Sequence, residues 1–230
     1  QIEMLEAEHA ADIQELESEL ERVTSCRLEP YGNCKDADLG GEDLSGKDLM
    51  WIDLRNAVLS GANLTGAYLM GADLRHANLT DADLRGAEMW YADLTGANLD
   101  EADLTGAHMY SADLMGAYMS DATLTGADLS DADLTGAILE NANLTDADLW
   151  YADLTRANLI GVDLTDADLI GADLTGANLY KADLTDADLS DAGLTDANLW
   201  NANLTNTTLW NADLTGANLY KADLTDADLS

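Results

Sequence analysis

From residue 36 to its end the chain is written in blocks of five, with no insertion. The central residue falls at every number ending in 4 or 9, from Leu39 to Leu229, which makes thirty-nine blocks. It is Leu everywhere except at Met89, Met109 and Met119. Two residues earlier stands Ala, except at Glu42, Lys47, Ile52, Val162 and Thr207. A period of five excludes the ordinary elements. In an α-helix, five residues turn the chain by about 500°, so successive Leu would point about 140° apart and build no face. In a straight strand five is odd, so successive Leu would alternate faces. Within one block, Ala and Leu are two apart and share a strand face. The next Ala is three residues on and can point inward only if the chain turns a corner first.

A corner in every block closes a square coil after four blocks, or twenty residues. Stacked coils then pair backbone to backbone at about 4.8 Å per layer. The thirty-nine blocks amount to roughly ten coils and a rod roughly 47 Å long at that spacing. Leu, Met and Ala fill the inside in columns, and each coil completes the core of its neighbours, as in any solenoid. The nineteen residues at 172–190 recur at 212–230, a shift of forty. Two whole coils can be copied without disturbing the interior. The A-D/N-L-T/S-x blocks of residues 36–230 resemble the pentapeptide-repeat family. That resemblance implies an all-β solenoid, a quadrilateral β-helix of right-handed sense.

Two short segments precede the repeats. In residues 1–24, Ile2, Leu5, His9, Ile13, Leu16, Leu20 and Val23 recur at spacings of three and four, with glutamates mostly between them. That pattern predicts an amphipathic α-helix of coiled-coil type. A helix of this length is marginal alone in water, so Ile13, Leu16, Leu20 and Val23 are expected to seek a partner, a second copy included. Residues 25–35 hold Pro30 and Gly32, a turn signal, between Cys26 and Cys34. They read as a cap or linker in which the two cysteines form one small disulfide loop. Free thiols are the alternative reading.

Charge sets limits on partners. The chain has 45 acidic and 10 basic residues, for a formal net charge of −35. Nucleic acid and anionic membrane surfaces both need clustered Lys and Arg, so neither is an expected partner. No apolar run approaches the length of a membrane span. No Ser-His-Asp, metal-protease, phosphate-loop or dinucleotide pattern is present, and no cofactor is expected. Carboxylates instead occupy repeat positions. Asp53, Asp73, Asp93, Asp113, Asp133, Asp153 and Asp173 form one column, spaced by twenty. They read either as a ladder for hard cations or as a polar edge bonded to nearby backbone. The Asn column at 78, 98, 158, 178, 198 and 218 reads as an amide ladder between layers.

Outward aromatics carry the functional signal. The repeats hold twelve Trp and Tyr, none at an inward position, all at numbers ending in 0, 1 or 8. Half a coil is ten residues, so they fall on two opposite sides of the square. Trp51, Trp90, Tyr91, Tyr110, Trp150, Tyr151 and Trp210 mark one side; Tyr180, Trp200 and Tyr220 mark the other. Three readings remain open: mutual stacking that steadies the sheet, a partner surface, or a carbohydrate platform.

These features lead to a non-catalytic structural or assembly protein, an acidic rod forming a homo-oligomer, fibre or filament. The family resemblance supplies the alternative, an acidic rod that mimics duplex DNA and binds a type II topoisomerase. The cysteine pair and the start at Gln1 rather than Met fit an extracytoplasmic setting. A stack ending abruptly at Ser230 exposes unpaired backbone that a protein partner could cap.

Overall fold

The structure is a computed structural model that describes residues 13–14 and 26–229. Parallel bridges link residues twenty apart without a break, from Asn33↔Asp53 to Thr208↔Asp228. Four bridge columns alternate with four turns in every twenty residues, so the path is a square. Leu and Ala point inward and are shielded from solvent through nearly the whole stack.

The consensus follows from an accounting of backbone N–H groups, illustrated by Ala92–Gly96. Asp93 N–H donates back to Ala72 of the coil before (2.9 Å), and Leu94 N–H donates forward to Asp113 (2.7 Å). Gly96 N–H donates forward to Met115 (2.9 Å), and Ala92 N–H closes the corner onto Met89 (3.0 Å). Only the fourth N–H, that of Thr95, has no backbone partner in this scheme. It donates to Asp93 Oδ1 at 3.0 Å, and the Thr95 hydroxyl donates to the same oxygen at 2.6 Å. Asp or Asn before Leu and Thr or Ser after it thus complete the bonding, which a buried backbone requires.

Each corner is a β-turn whose third residue has positive φ, as in a type II turn. All thirty-nine such positions from Asp36 to Asp226 are left-handed, and Gly, Asp or Asn fills thirty of them. These residue types enter that region at least cost. Among the nine others are Trp51, Tyr91 and Tyr151. The Tyr151 ring lies across Gly171 one coil on, where an added Cβ would sit 2.6 Å from Cε1. At Gly136, also with positive φ, an added Cβ would meet nothing within 4 Å. We therefore expect Gly136→Ala to cost only the left-handed penalty, about 1 kcal/mol. Gly171→Ala should cost more, because Tyr151 must also leave its seat. Paired melting curves of the two variants check this.

The inward exceptions have local causes. Glu42 and Lys47 are exposed; they lie at the N-terminal end of the stack, where, among the described residues, no earlier block bridges to theirs. Ile52 and Val162 are fully buried. Thr207 is buried too, and its hydroxyl donates to the Leu184 carbonyl at 2.8 Å. The bridge pattern starts at Asn33, before the boundary at residue 36 read from the sequence. Cys34, only 1% exposed, takes the central Leu place of that block and is disulfide-bonded to Cys26. Of the expected N-terminal helix, only Ile13 and Gln14 are described; both are helical, and Ile13 is exposed. Leu16, Leu20 and Val23 lie outside the described residues.

Candidate functional site

The aspartate column is committed to local bonds. Asp73 and Asp93 use Oδ1 as above, and Asp133, Asp153 and Asp173 accept the N–H two residues on at 2.8–2.9 Å. Near the N-terminal end, Arg55 and Arg75 bind this column, and Arg85 binds the Asp83–Asp103 column half a coil away. Arg55 grips Asp53 through Nε (2.8 Å) and Nη2 (2.5 Å), and its Nε lies 3.4 Å from Asp73 in the next coil. Arg75 repeats the arrangement with Asp73 and Asp93, and Arg85 with Asp83 and Asp103. These hydrogen bonds hold the carboxyls of Asp53, Asp73 and Asp83 below the ordinary range and raise the guanidinium values. Among the described residues, no group of three or more His, Cys, Asp or Glu is arranged to hold a metal ion. Amide-to-amide bonding joins Asn178, Asn198 and Asn218 at 2.8 and 3.1 Å.

Another acidic column forms no ion pair among the described residues. Asp128, Asp148, Asp168 and Asp188 stack in consecutive coils. Desolvation, and then the like charges of Asp128 and Asp168, push the Asp148 carboxyl up, although the residue as a whole is exposed. A raised folded-state value means that ionisation costs stability as pH rises through it, and that the neutral form is favoured below. For Asp53, Asp73 and Asp83 the sign is opposite: their stabilisation is present above the unfolded value and lost as pH falls. Asp148→Asn keeps an acceptor for the Trp150 N–H (3.0 Å) and removes the charge. It should raise the melting temperature slightly at pH 7, by well under ~1 kcal/mol after screening. That gain should vanish near pH 3, where melting against wild type checks it.

Ten of the twelve repeat aromatics occupy turn positions, so they crown two diagonally opposite edges of the square rather than two sides; Tyr68 and Tyr118 stand at bridge positions on the faces. Side chains at an edge project from the bend and are open to two directions. On the first edge, Tyr91 meets Tyr110 edge to face at 5.7 Å, and Trp150 meets Tyr151 at 4.4 Å. Trp90 leans toward His108 at 6.3 Å. Trp51, Trp90, Tyr91, Trp150, Tyr151 and Trp210 are exposed, while Tyr110 is half-buried. Ser130 and Asp131 interrupt this edge, so its aromatics form separate patches rather than one stripe. On the second edge the rings are continuous. Tyr180 meets Trp200 at 5.6 Å, and Trp200 meets Tyr220 at 5.8 Å, so three successive coils are joined. Lys181 Nζ lies 5.2 Å from the Tyr180 ring centroid and Lys221 Nζ 5.5 Å from that of Tyr220. Sequence reading missed both lysines; their place one residue after a ring, in the left-handed turn position, was the available signal.

The family model for pentapeptide repeats matches in eight copies between residues 33 and 230. The chain is a pentapeptide-repeat protein. No curated protein matches it by sequence. Among solved structures of pentapeptide-repeat proteins it is similar to HetL, involved in heterocyst differentiation regulation in the cyanobacterium Nostoc sp. strain PCC 7120. That pair is 37% identical with a TM-score of 0.65, over 91% of this chain and 92% of HetL. The plasmid-mediated fluoroquinolone resistance protein QnrB1 is 21% identical with a TM-score of 0.38, over 83% of this chain and 92% of that one. A thylakoid-lumen pentapeptide-repeat protein of Arabidopsis thaliana is 40% identical with a TM-score of 0.24, over 46% of this chain and 70% of its own.

Proposed function

We propose that this pentapeptide-repeat protein is a non-catalytic assembly protein, a rigid acidic rod of about ten coils that associates with copies of itself. The N-terminal segment takes part as an amphipathic helix. The observation that carries this reading is the exposure of large aromatics on two opposed edges of a rod whose remaining surface is strongly acidic. Apolar clusters of this kind mark contact surfaces, and opposed edges let each rod contact a neighbour on either side. The proposed setting is extracytoplasmic, with no nucleic acid, membrane insertion or cofactor involved. Trp90, Tyr91, Trp150 and Tyr151 point outward, so changing all four to Ser should leave the melting curve near that of wild type. Association should weaken by roughly 3 kcal/mol or more, about a hundredfold, since each buried aromatic contributes on the order of 1–3 kcal/mol. Sedimentation velocity of variant and wild type tests it; equal association would refute the edge as the contact.

A second reading, a DNA-mimicking protein that binds a type II topoisomerase, draws on the Asp128–Asp148–Asp168–Asp188 column, whose carboxylates accept local hydrogen bonds but form no ion pair among the described residues. A pull-down with purified gyrase at physiological salt separates the two, because self-association alone predicts no retention.

A further inference from the structure

The second aromatic edge differs from the first in charge. Residues 91–230 hold twenty-six acidic residues and three basic ones, Arg156, Lys181 and Lys221. Two of those three cations stand on the strip made by Tyr180, Trp200 and Tyr220, with their ammonium groups drawn over the rings. Trp200 and Tyr220 are exposed, as are both lysines. The strip is thus apolar and cationic on a surface that is otherwise anionic. Its complement is a segment both apolar and acidic. Residues 1–25 have that composition: eight carboxylates against the single Arg22, interleaved with Ile2, Leu5, Ile13, Leu16, Leu20 and Val23.

We propose that the strip at Tyr180, Trp200 and Tyr220 receives residues 1–25 of a second copy of this chain. Apolar residues of the segment would cover the rings, and its carboxylates would pair with Lys181 and Lys221. The occupant comes from another copy for a reason of charge and distance. The strip lies seven or more coils from residue 26, about 35 Å or more at the layer spacing. To reach it within one chain by the straight path, the segment would run along the same edge, past Asp81, Asp100, Glu101, Asp121 and Glu140. Like charges disfavour that path. Two rods side by side in opposite directions bring each N-terminal segment next to the other's strip, and the contact repeats by two-fold symmetry. This inference rests on the self-association proposed above and assigns it a specific contact.

An equal mixture of unlabelled and heavy-nitrogen-labelled full-length chains, cross-linked with a zero-length carbodiimide, provides the test. Mass spectrometry should find Lys181 or Lys221 joined to a carboxylate of residues 1–25, in heavy–light pairs. Lys181→Glu with Lys221→Glu should weaken association about tenfold or more, with an unchanged circular dichroism spectrum. Cross-links confined to single chains would overturn the inference. So would a dimer joined elsewhere, which would leave self-association standing. A chain that stays monomeric by mass would overturn both.

Discussion

Leu134→Asp is expected to collapse the middle of the rod. Leu134 is fully buried in a column with Leu114 and Leu154 one coil to either side. The buried cluster it belongs to is built of Leu, Met, Ala and a few other apolar residues. A carboxylate at that point must either stay charged without a partner or take up a proton. The cost should be roughly 4 kcal/mol or more, among the largest for a single substitution. The stack transmits the damage, because each coil is stabilised only by its two neighbours. Leu134→Ala should cost less, about 2–4 kcal/mol, as a cavity rather than a buried charge. Chemical denaturation of the three proteins gives the order wild type, Ala, Asp. A wild-type-like Leu134→Asp would mean that the Leu column does not face inward.

Salt is the second lever with a large effect. Carboxylates stacked at about 4.8 Å repel by about 1 kcal/mol per pair even in water, and molar salt shortens the screening length to about 3 Å. Asp128, Asp148, Asp168 and Asp188 form one such uncompensated run. The ion pairs of Arg55, Arg75 and Arg85 respond in the opposite sense, but they are few against 45 acidic residues. The melting temperature should therefore rise from low salt to 1 M NaCl, by roughly 5 °C or more for a chain of this size. A flat or falling curve would show that the local bonds of the aspartates already neutralise the repulsion. Ca²⁺ at matched ionic strength should add nothing further if the columns serve backbone bonding rather than ion binding.

The interior was legible in the sequence for a simple reason. A period of five with Ala and Leu two apart admits one geometry, a corner in every block, and the bridges twenty residues apart follow from it. The start of the stack was not legible, because Cys34 stands where Leu or Met marks every later block and Gly32 stands where Ala usually does. Local bonding of the aspartates was one of two open readings, and only the fourth N–H of each block, seen unpaired in the backbone scheme, decides for it. The aromatic positions were read correctly as outward, but a turn position projects from an edge, not a side. The break at Ser130 and Asp131 is visible once residues are compared twenty apart. That the lysine ammoniums sit over the tyrosine rings depends on side-chain direction at a left-handed corner, which no spacing encodes.

Self-association through exposed edges is the central claim, and the mass of the full 230-residue chain in solution tests it most directly. Sedimentation equilibrium should be run from low micromolar to near-millimolar concentration at physiological salt. Mass should climb from 24.5 kDa through integer multiples as concentration rises. A single species of 24.5 kDa across the whole range would contradict the claim, and would leave the aromatics as contacts that steady one coil on the next.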